Sequence, residues 1–242
     1  MTCTSAGKSG IGITSMDGAN ISDVVFQDIS LSGTTEPIQM YVGARAWQRR
    51  PPPYNVGSIS RIRFQNIAAT NVTGKPPSYS RPTNFTTTID GQGVSQNSST
   101  VHFVSDVHFS NLSIHYQGGG TAADAVTDAV PWHNPNDGGP RTSGVHGVRP
   151  SYGLFLRLLR DSTFDGVTLD FAHNDDRPAV VLIDCRNVSF TGEPRMARGS
   201  GSRYDVGMRD STAIEIAGGI LACDYPHCPE PTAAPAEPPR AG

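Results

Sequence analysis

Apolar and polar residues alternate with a period of two along most of this chain, and the alternation slips by one position at recurring places. Five segments share the feature: Val24-Val25-Phe26-Gln27-Asp28, Ile62-Arg63-Phe64-Gln65-Asn66, Val107-His108-Phe109-Ser110-Asn111, Ser162-Thr163-Phe164-Asp165-Gly166 and Val188-Ser189-Phe190-Thr191-Gly192. Each has Phe in its third place and Asp, Asn or Gly in its fifth, the residue types that enter the left-handed αL region at least cost. In four copies the next residue is again apolar (Ile29, Ile67, Leu112, Val167), so the inward face changes parity across that fifth residue. A strand whose parity shifts at one αL residue has turned a corner with its apolar side still facing the same core. Corners repeated at intervals of 38, 45, 55 and 26 residues are expected of a parallel β-helix whose longer intervals carry inserted loops.

The remaining strands follow from the corners. Gly10 to Thr14, Pro37 to Val42, Thr86 to Asp90, Gly153 to Leu158 and Ala179 to Asp184 form a further wall. On it, Ile11, Ile13, Ile38, Met40 and Val42 point inward, while Gly12, Thr14, Gln39, Tyr41, Thr88, Asp90, Phe155 and Arg157 point outward. The insertions, residues 71–85 and 117–151, border this wall and make its outer face the expected groove for function. One β-helical domain is expected over residues 1–218. A Cys-containing turn and a disordered Pro/Ala-rich tail are expected over 219–242, with one last strand at Ala213-Ile214-Glu215-Ile216 and the stretch from Glu193 to Thr212 before it capping or fraying the end.

Composition narrows the function classes. The 242 residues carry a formal charge of −3 and 36% hydrophobic residues, which suits one elongated domain with a polar exterior and argues against a nucleic-acid partner. Only Lys8 and Lys75 are lysines. No apolar run reaches membrane-spanning length, so no membrane partner is expected, and no leader pattern occupies Met1 to Ser15. Cys3, Cys185, Cys223 and Cys228 lack metal-site spacing, and His227 between the last two leaves a fourth ligand missing. A local Cys223–Cys228 disulfide and free thiols both remain open. Neither metal nor cofactor is expected. Six Asn-x-Ser/Thr sequons, at Asn20, Asn71, Asn84, Asn97, Asn111 and Asn187, matter only in a eukaryotic secretory pathway.

Several phrases resemble a known family. Gly10-Ile11-Gly12-Ile13-Thr14-Ser15, Asn20 to Ile29, Pro37-Ile38 followed by Gly43-Ala44-Arg45, Tyr152-Gly153-Leu154-Phe155 and Asp176-Arg177-Pro178-Ala179 are similar to the C-terminal half of glycoside hydrolase family 28, the polygalacturonases. The similarity spans residues 8 to 192. It implies an all-β, right-handed parallel β-helix (a pectin-lyase-like solenoid) with its N-terminal coils missing. It also implies a secreted glycosidase, extracellular or periplasmic as a full-length member, that cleaves cell-wall pectin by inversion.

The family's Asn-x-Asp motif, Asp-Asp pair and Gly-His-Gly motif do not precede Gly10 here, and its Arg-x-Lys pair aligns with Gly12-Ile13-Thr14. Inversion needs an acid and a base carboxylate roughly 6.5–9.5 Å apart. No catalytic residue is therefore assigned, and this chain alone is expected to be inactive. Tyr41 is the closest match to the family's active-site tyrosine. Arg45, beside Arg49 and Arg50, and Arg157 are candidates for bidentate binding of a uronate carboxylate, and Asp90 is the carboxylate on the groove wall. Asp17, Asp23 and Asp175-Asp176 read as turn, strand-surface and loop residues, and His102, His108 and His115 as exposed polar positions.

Three readings stay open: a truncated pectin-degrading hydrolase, a non-catalytic carbohydrate-binding β-helix, and a calcium-dependent polysaccharide lyase. The expected partner is a pectin-like polysaccharide or oligosaccharide. Self-association through an uncapped first coil is also expected.

Overall fold

The computed structural model describes residues 1–4, 9–16, 18–43, 56–73, 86–94, 99–126 and 149–225. The strands are β1 (Thr2–Thr4), β2 (Ser9–Ser15), β3 (Asn20–Ser32), β4 (Glu36–Val42), β5 (Ser58–Val72), β6 (Thr87–Asp90), β7 (Val104–Gly118), β8 (Leu154–Arg157) and β9 (Leu159–His173). After them come β10 (Val180–Ile183), β11 (Arg186–Thr191), β12 (Arg195–Met196), β13 (Val206–Arg209), β14 (Thr212–Ile216) and β15 (Ala222–Asp224). One short helix, α1 (Ala122–Ala125), follows β7 and is closed by a capping box between Thr121 and Asp124. The strands form two sheets, in the orders β1-β3-β5-β7-β9-β11-β14 (with β12 beside β9) and β15-β13-β10-β8-β6-β4-β2. Every pairing between these strands is parallel. From β2 to β11 the chain alternates between the sheets, adding one strand to each per pass, an arrangement consistent with a parallel β-helix.

The corner column is real geometry. Asp28, Asn66, Asn111, Gly166 and Gly192 all have positive φ, between 54° and 65°. Their side chains also form a ladder: Asn66 Nδ2 donates to Asp28 Oδ1 at 2.8 Å, and Asn111 Nδ2 donates to Asn66 Oδ1 at 3.0 Å. Inside this edge the five Phe rings stack one over the next, with centroids 5.1, 4.4, 4.9 and 4.8 Å apart from Phe26 to Phe190. The expected pattern of Phe followed two places later by an αL residue is thus a stacked aromatic column beside a column of bends.

A second bend precedes the first by five residues and was not expected from the sequence. Asp23, Arg61, Asp106, Asp161, Asn187 and Ala213 all have φ between 51° and 61°. The signal was present in the apolar spacing. On β5 the inward residues are Ile59, Ile62, Phe64, Ile67, Ala69 and Val72, and each three-residue step crosses an αL residue (Arg61, Asn66, Asn71). Arg61 and Asp23, stacked at this bend, form a two-point ion pair with both bonds at 2.7 Å, which holds the exposed Asp23 carboxyl at about 2.

The stretch from Glu193 to Thr212 does not cap or fray the stack. It contributes another pass: β13 joins the second sheet beside β10 and β14 joins the first beside β11. Ile216 stands in register with Phe190, and Gly218 repeats the αL corner with φ 84°. The last strand expected at Ala213 to Ile216 is β14, while its corner escapes a search for Phe because Ile216 occupies the ring position. β15 then extends the second sheet beyond residue 218. Ala213 is the weak point of this pass, since it is exposed and an Ala at αL costs about 1–2 kcal/mol. Ala213→Asn restores a tolerant residue next to Asn187, which already donates to Asp161 at 2.9 Å. The expected outcome is a gain of about 1 kcal/mol in urea unfolding.

The core lies between the two sheets, from Ile11 and Ile13 through Phe64, Phe109, Leu154 and Val180 to Val206. At the β2–β3 end, Ile21, Val24 and Phe26 are only partly buried.

Candidate functional site

The outer face of the second sheet carries the expected site residues in order. β4, β6 and β8 place Tyr41, Asp90 and Arg157 in one column, and Gln39, Thr88 and Phe155 in the next, because adjacent parallel strands stack like on like. The outward direction expected for these side chains holds. The open groove does not: Tyr41 is 2% exposed, Asp90 1% and Arg157 3%. Only Gly12 and Thr14, on β2, remain exposed on this wall. Arg45 lies outside the described residues.

Burial dictates how these groups are paired. Arg157 donates from Nε to Asp90 Oδ1 at 2.7 Å and from Nη2 to Oδ2 at 2.6 Å, a two-point pair sealed from water. Arg149 Nη2 donates to the Tyr41 hydroxyl at 3.1 Å. The guanidinium groups of Arg149 and Arg157 lie 5.1 and 5.6 Å from the Phe155 ring centre, within range of a cation–π contact. Burial, reinforced by the Glu36 charge, pushes the Tyr41 hydroxyl well above the ordinary tyrosine range, so it stays protonated. Both oxygens of Asp90 are engaged by Arg157, and that guanidinium fork is filled in turn. As arranged, Asp90 and Arg157 constitute a structural pair.

Sequence reasoning missed a second buried pair. Asp175 and Arg177, read as loop residues, are 0% and 2% exposed, with Arg177 Nη2 donating to Asp175 Oδ2 at 2.7 Å. Asp175 Oδ2 also accepts from the Gly120 N–H at 2.9 Å, and Arg177 Nη1 donates to the Arg149 carbonyl at 3.2 Å. The pair thereby ties both flanks of the long 117–151 insertion to the body of the stack. Further along the wall, Val181, Ile183 and Tyr225 form an apolar cluster with Phe155. Gly207 leaves room there for Tyr225, whose Cβ an added Cβ would meet at 3.0 Å and whose ring it would meet at 3.4 Å. Cys223 is disulfide-bonded, and its expected partner Cys228 lies outside the described residues. Cys185 is a free, fully buried thiol that burial pushes up to about 12, in keeping with a core residue.

His102, His108 and His115, expected to be exposed, are half-buried polar groups. His108 pairs with Asp106 at 2.7 Å and His115 with Asp170 at 2.6 Å, each about half exposed. His102 bonds Thr100 at 3.0 Å, and burial lowers its pKa. Among the described residues no group of three or more His, Cys, Asp or Glu is placed to hold a metal, and no helix is long and apolar enough to cross a membrane.

Two cavities are lined by described residues. One, of about 210 Å³, lies between α1 and Tyr204, and its carboxylate, Asp176, is occupied by the Gly201 N–H and Asn174. The other, of about 200 Å³, sits at the corner where the second sheet passes into the first, lined by Gly93, Val94, Val101, Phe103, Leu158, Asp184, Arg186 and Asp210. Asp184 and Asp210 occupy equivalent αL positions on successive passes, with φ of 53° and 51°. The Asp184 N–H donates to the Arg209 carbonyl at 3.0 Å, which sets the two residues one strand spacing apart. Partial burial, with the Asp210 charge second, raises the pKa of Asp184. No family model, no curated protein and no solved structure matches this chain.

Proposed function

We propose that this chain is a carbohydrate-binding right-handed parallel β-helix of the polygalacturonase type, without hydrolytic turnover of its own. One observation carries the reading: the phrases that resemble that family, Gly10 to Ser15, Asn20 to Ile29 and Pro37-Ile38, fall on the successive strands β2, β3 and β4 of two stacked parallel sheets. That is the placement expected for a coil of such a helix. The absence of turnover follows from the wall chemistry. Inverting hydrolysis needs two available carboxylates across the sugar ring, and the carboxylate on this wall, Asp90, is engaged by Arg157 at both oxygens. The same pairing weighs against a lyase, which needs several carboxylates for calcium together with a free arginine base.

The test is direct. The purified 242-residue protein is expected to release no reducing ends from polygalacturonate and yet to bind oligogalacturonides in a calorimetric titration. Turnover would restore the hydrolase reading. Failure to bind would remove the pectin-type ligand.

A further inference from the structure

The corner cavity at Asp184 and Asp210 has no role in the reading above, and its chemistry differs from that of the wall. The wall carboxylates are sealed in ion pairs, whereas among the described residues neither Asp184 nor Asp210 makes a side-chain hydrogen bond or ion pair. The two occupy equivalent bends on successive passes, and both line the one cavity. Val94, Val101 and Phe103 add apolar surface to the same lining. Arg186 lies with its guanidinium 5.1 Å from the Phe103 ring centre, and Arg160, its neighbour on the adjacent strand, lies 5.4 Å away. Both cations are thereby held against the Phe103 ring, and Arg186 is the one that lines the cavity.

We infer that this cavity is a binding site for one neutral hexose ring of a saccharide. Three features select that ligand. A volume of about 200 Å³ is smaller than the ~300–1,000 Å³ of drug-sized sites and suits a single ring. Stacked carboxylates accept hydrogen bonds from a pair of neighbouring hydroxyls while Arg186 donates to a ring or hydroxyl oxygen, and the C–H face of the sugar covers the valines and Phe103. Charge then separates sugar classes: a uronate would bring a third carboxylate against Asp184 and Asp210, so a neutral ring is preferred. A divalent cation is disfavoured, since calcium takes six to eight oxygen ligands and the cavity offers two carboxylates beside an arginine. The pectin-type reading does not enter this argument, because the ligand class follows from the cavity's own groups.

The experiment is ligand-observed NMR on the full chain with glucose, galactose, rhamnose, lactose and cellobiose, alongside galacturonic acid and calcium chloride. The expected result is millimolar binding of at least one neutral sugar and none of galacturonic acid. Asp184→Asn with Asp210→Asn should weaken it at least tenfold. Asn tolerates αL, so the fold survives in that variant. Val94→Trp, at a rim residue that is 65% exposed, should block the cavity independently. The inference is overturned if no neutral sugar binds, if binding survives both variants, or if galacturonic acid or calcium occupies the cavity instead. Oligogalacturonide binding should be unchanged in both variants, which separates failure here from failure of the wall reading.

Discussion

Asp90→Ala is expected to lower the unfolding free energy by about 3–5 kcal/mol, the usual effect of removing one partner from a buried ion pair. The cost arises from the arginine left behind. Arg157 sits at 3% exposure, and without Asp90 its Nε and Nη2 lose acceptors at 2.7 and 2.6 Å while the charge stays buried. A loss of this size is a large share of the roughly 5–15 kcal/mol that holds a typical domain together, so the single variant can fail to accumulate. The double variant Asp90→Leu with Arg157→Met keeps the check available. Replacing both partners with apolar groups of similar volume removes the desolvation penalty together with the attraction, and it should recover most of the loss in urea unfolding. The result also decides between roles. A change below about 1 kcal/mol for Asp90→Ala would mean the pair is solvated, as surface pairs are, and would return Asp90 and Arg157 to the list of groups open to a ligand.

Phe109→Ala should be nearly as severe, at about 3–5 kcal/mol. Its ring is 1% exposed and lies between Phe64 and Phe164 at 4.4 and 4.9 Å, so truncation opens a cavity and ends two stacking contacts at once. Position in the column sets the gradient. Phe26, partly buried and stacked only on Phe64 at 5.1 Å, should lose clearly less when changed to Ala. Equal losses at Phe26 and Phe109 in urea titrations would mean that the two rings are buried alike, contrary to the stacked arrangement.

The column of Phe rings also marks how far the sequence could be read. Wherever Phe was followed two residues later by Asp, Asn or Gly, the bend, the inward ring and the parity change were legible. The wall strands were legible as well: the expected stretch Thr86 to Asp90 corresponds to β6 at Thr87–Asp90, and Ala179 to Asp184 to β10 at Val180–Ile183. Substitution within the pattern hid the rest. The last strand was legible at Ala213 to Ile216, but Ile216 in place of Phe concealed its corner and β13 before it went unread, and Arg61 and Ala213 concealed the second bend because neither residue favours αL. Their backbone geometry is imposed by the strands stacked on them and not by their own preference.

The candidate site was legible in a different degree. The sequence placed Tyr41, Asp90 and Arg157 on one face, because alternation tells inside from outside, and it could name them as the polar residues of a shared wall. It could not bring Asp90 to Arg157, which is 67 residues away, or Arg149 to Tyr41, which is 108 residues away. Nor could it set Asp184 one strand above Asp210. Local alternation and αL preference are properties of a few consecutive residues, so this sequence alone determined the bends at its Asp, Asn and Gly corners, its inward face and its stacked rings. Register between passes depends on how much chain each insertion takes up. Only the tertiary structure therefore decided which charges are paired and sealed and which two carboxylates are left facing a cavity.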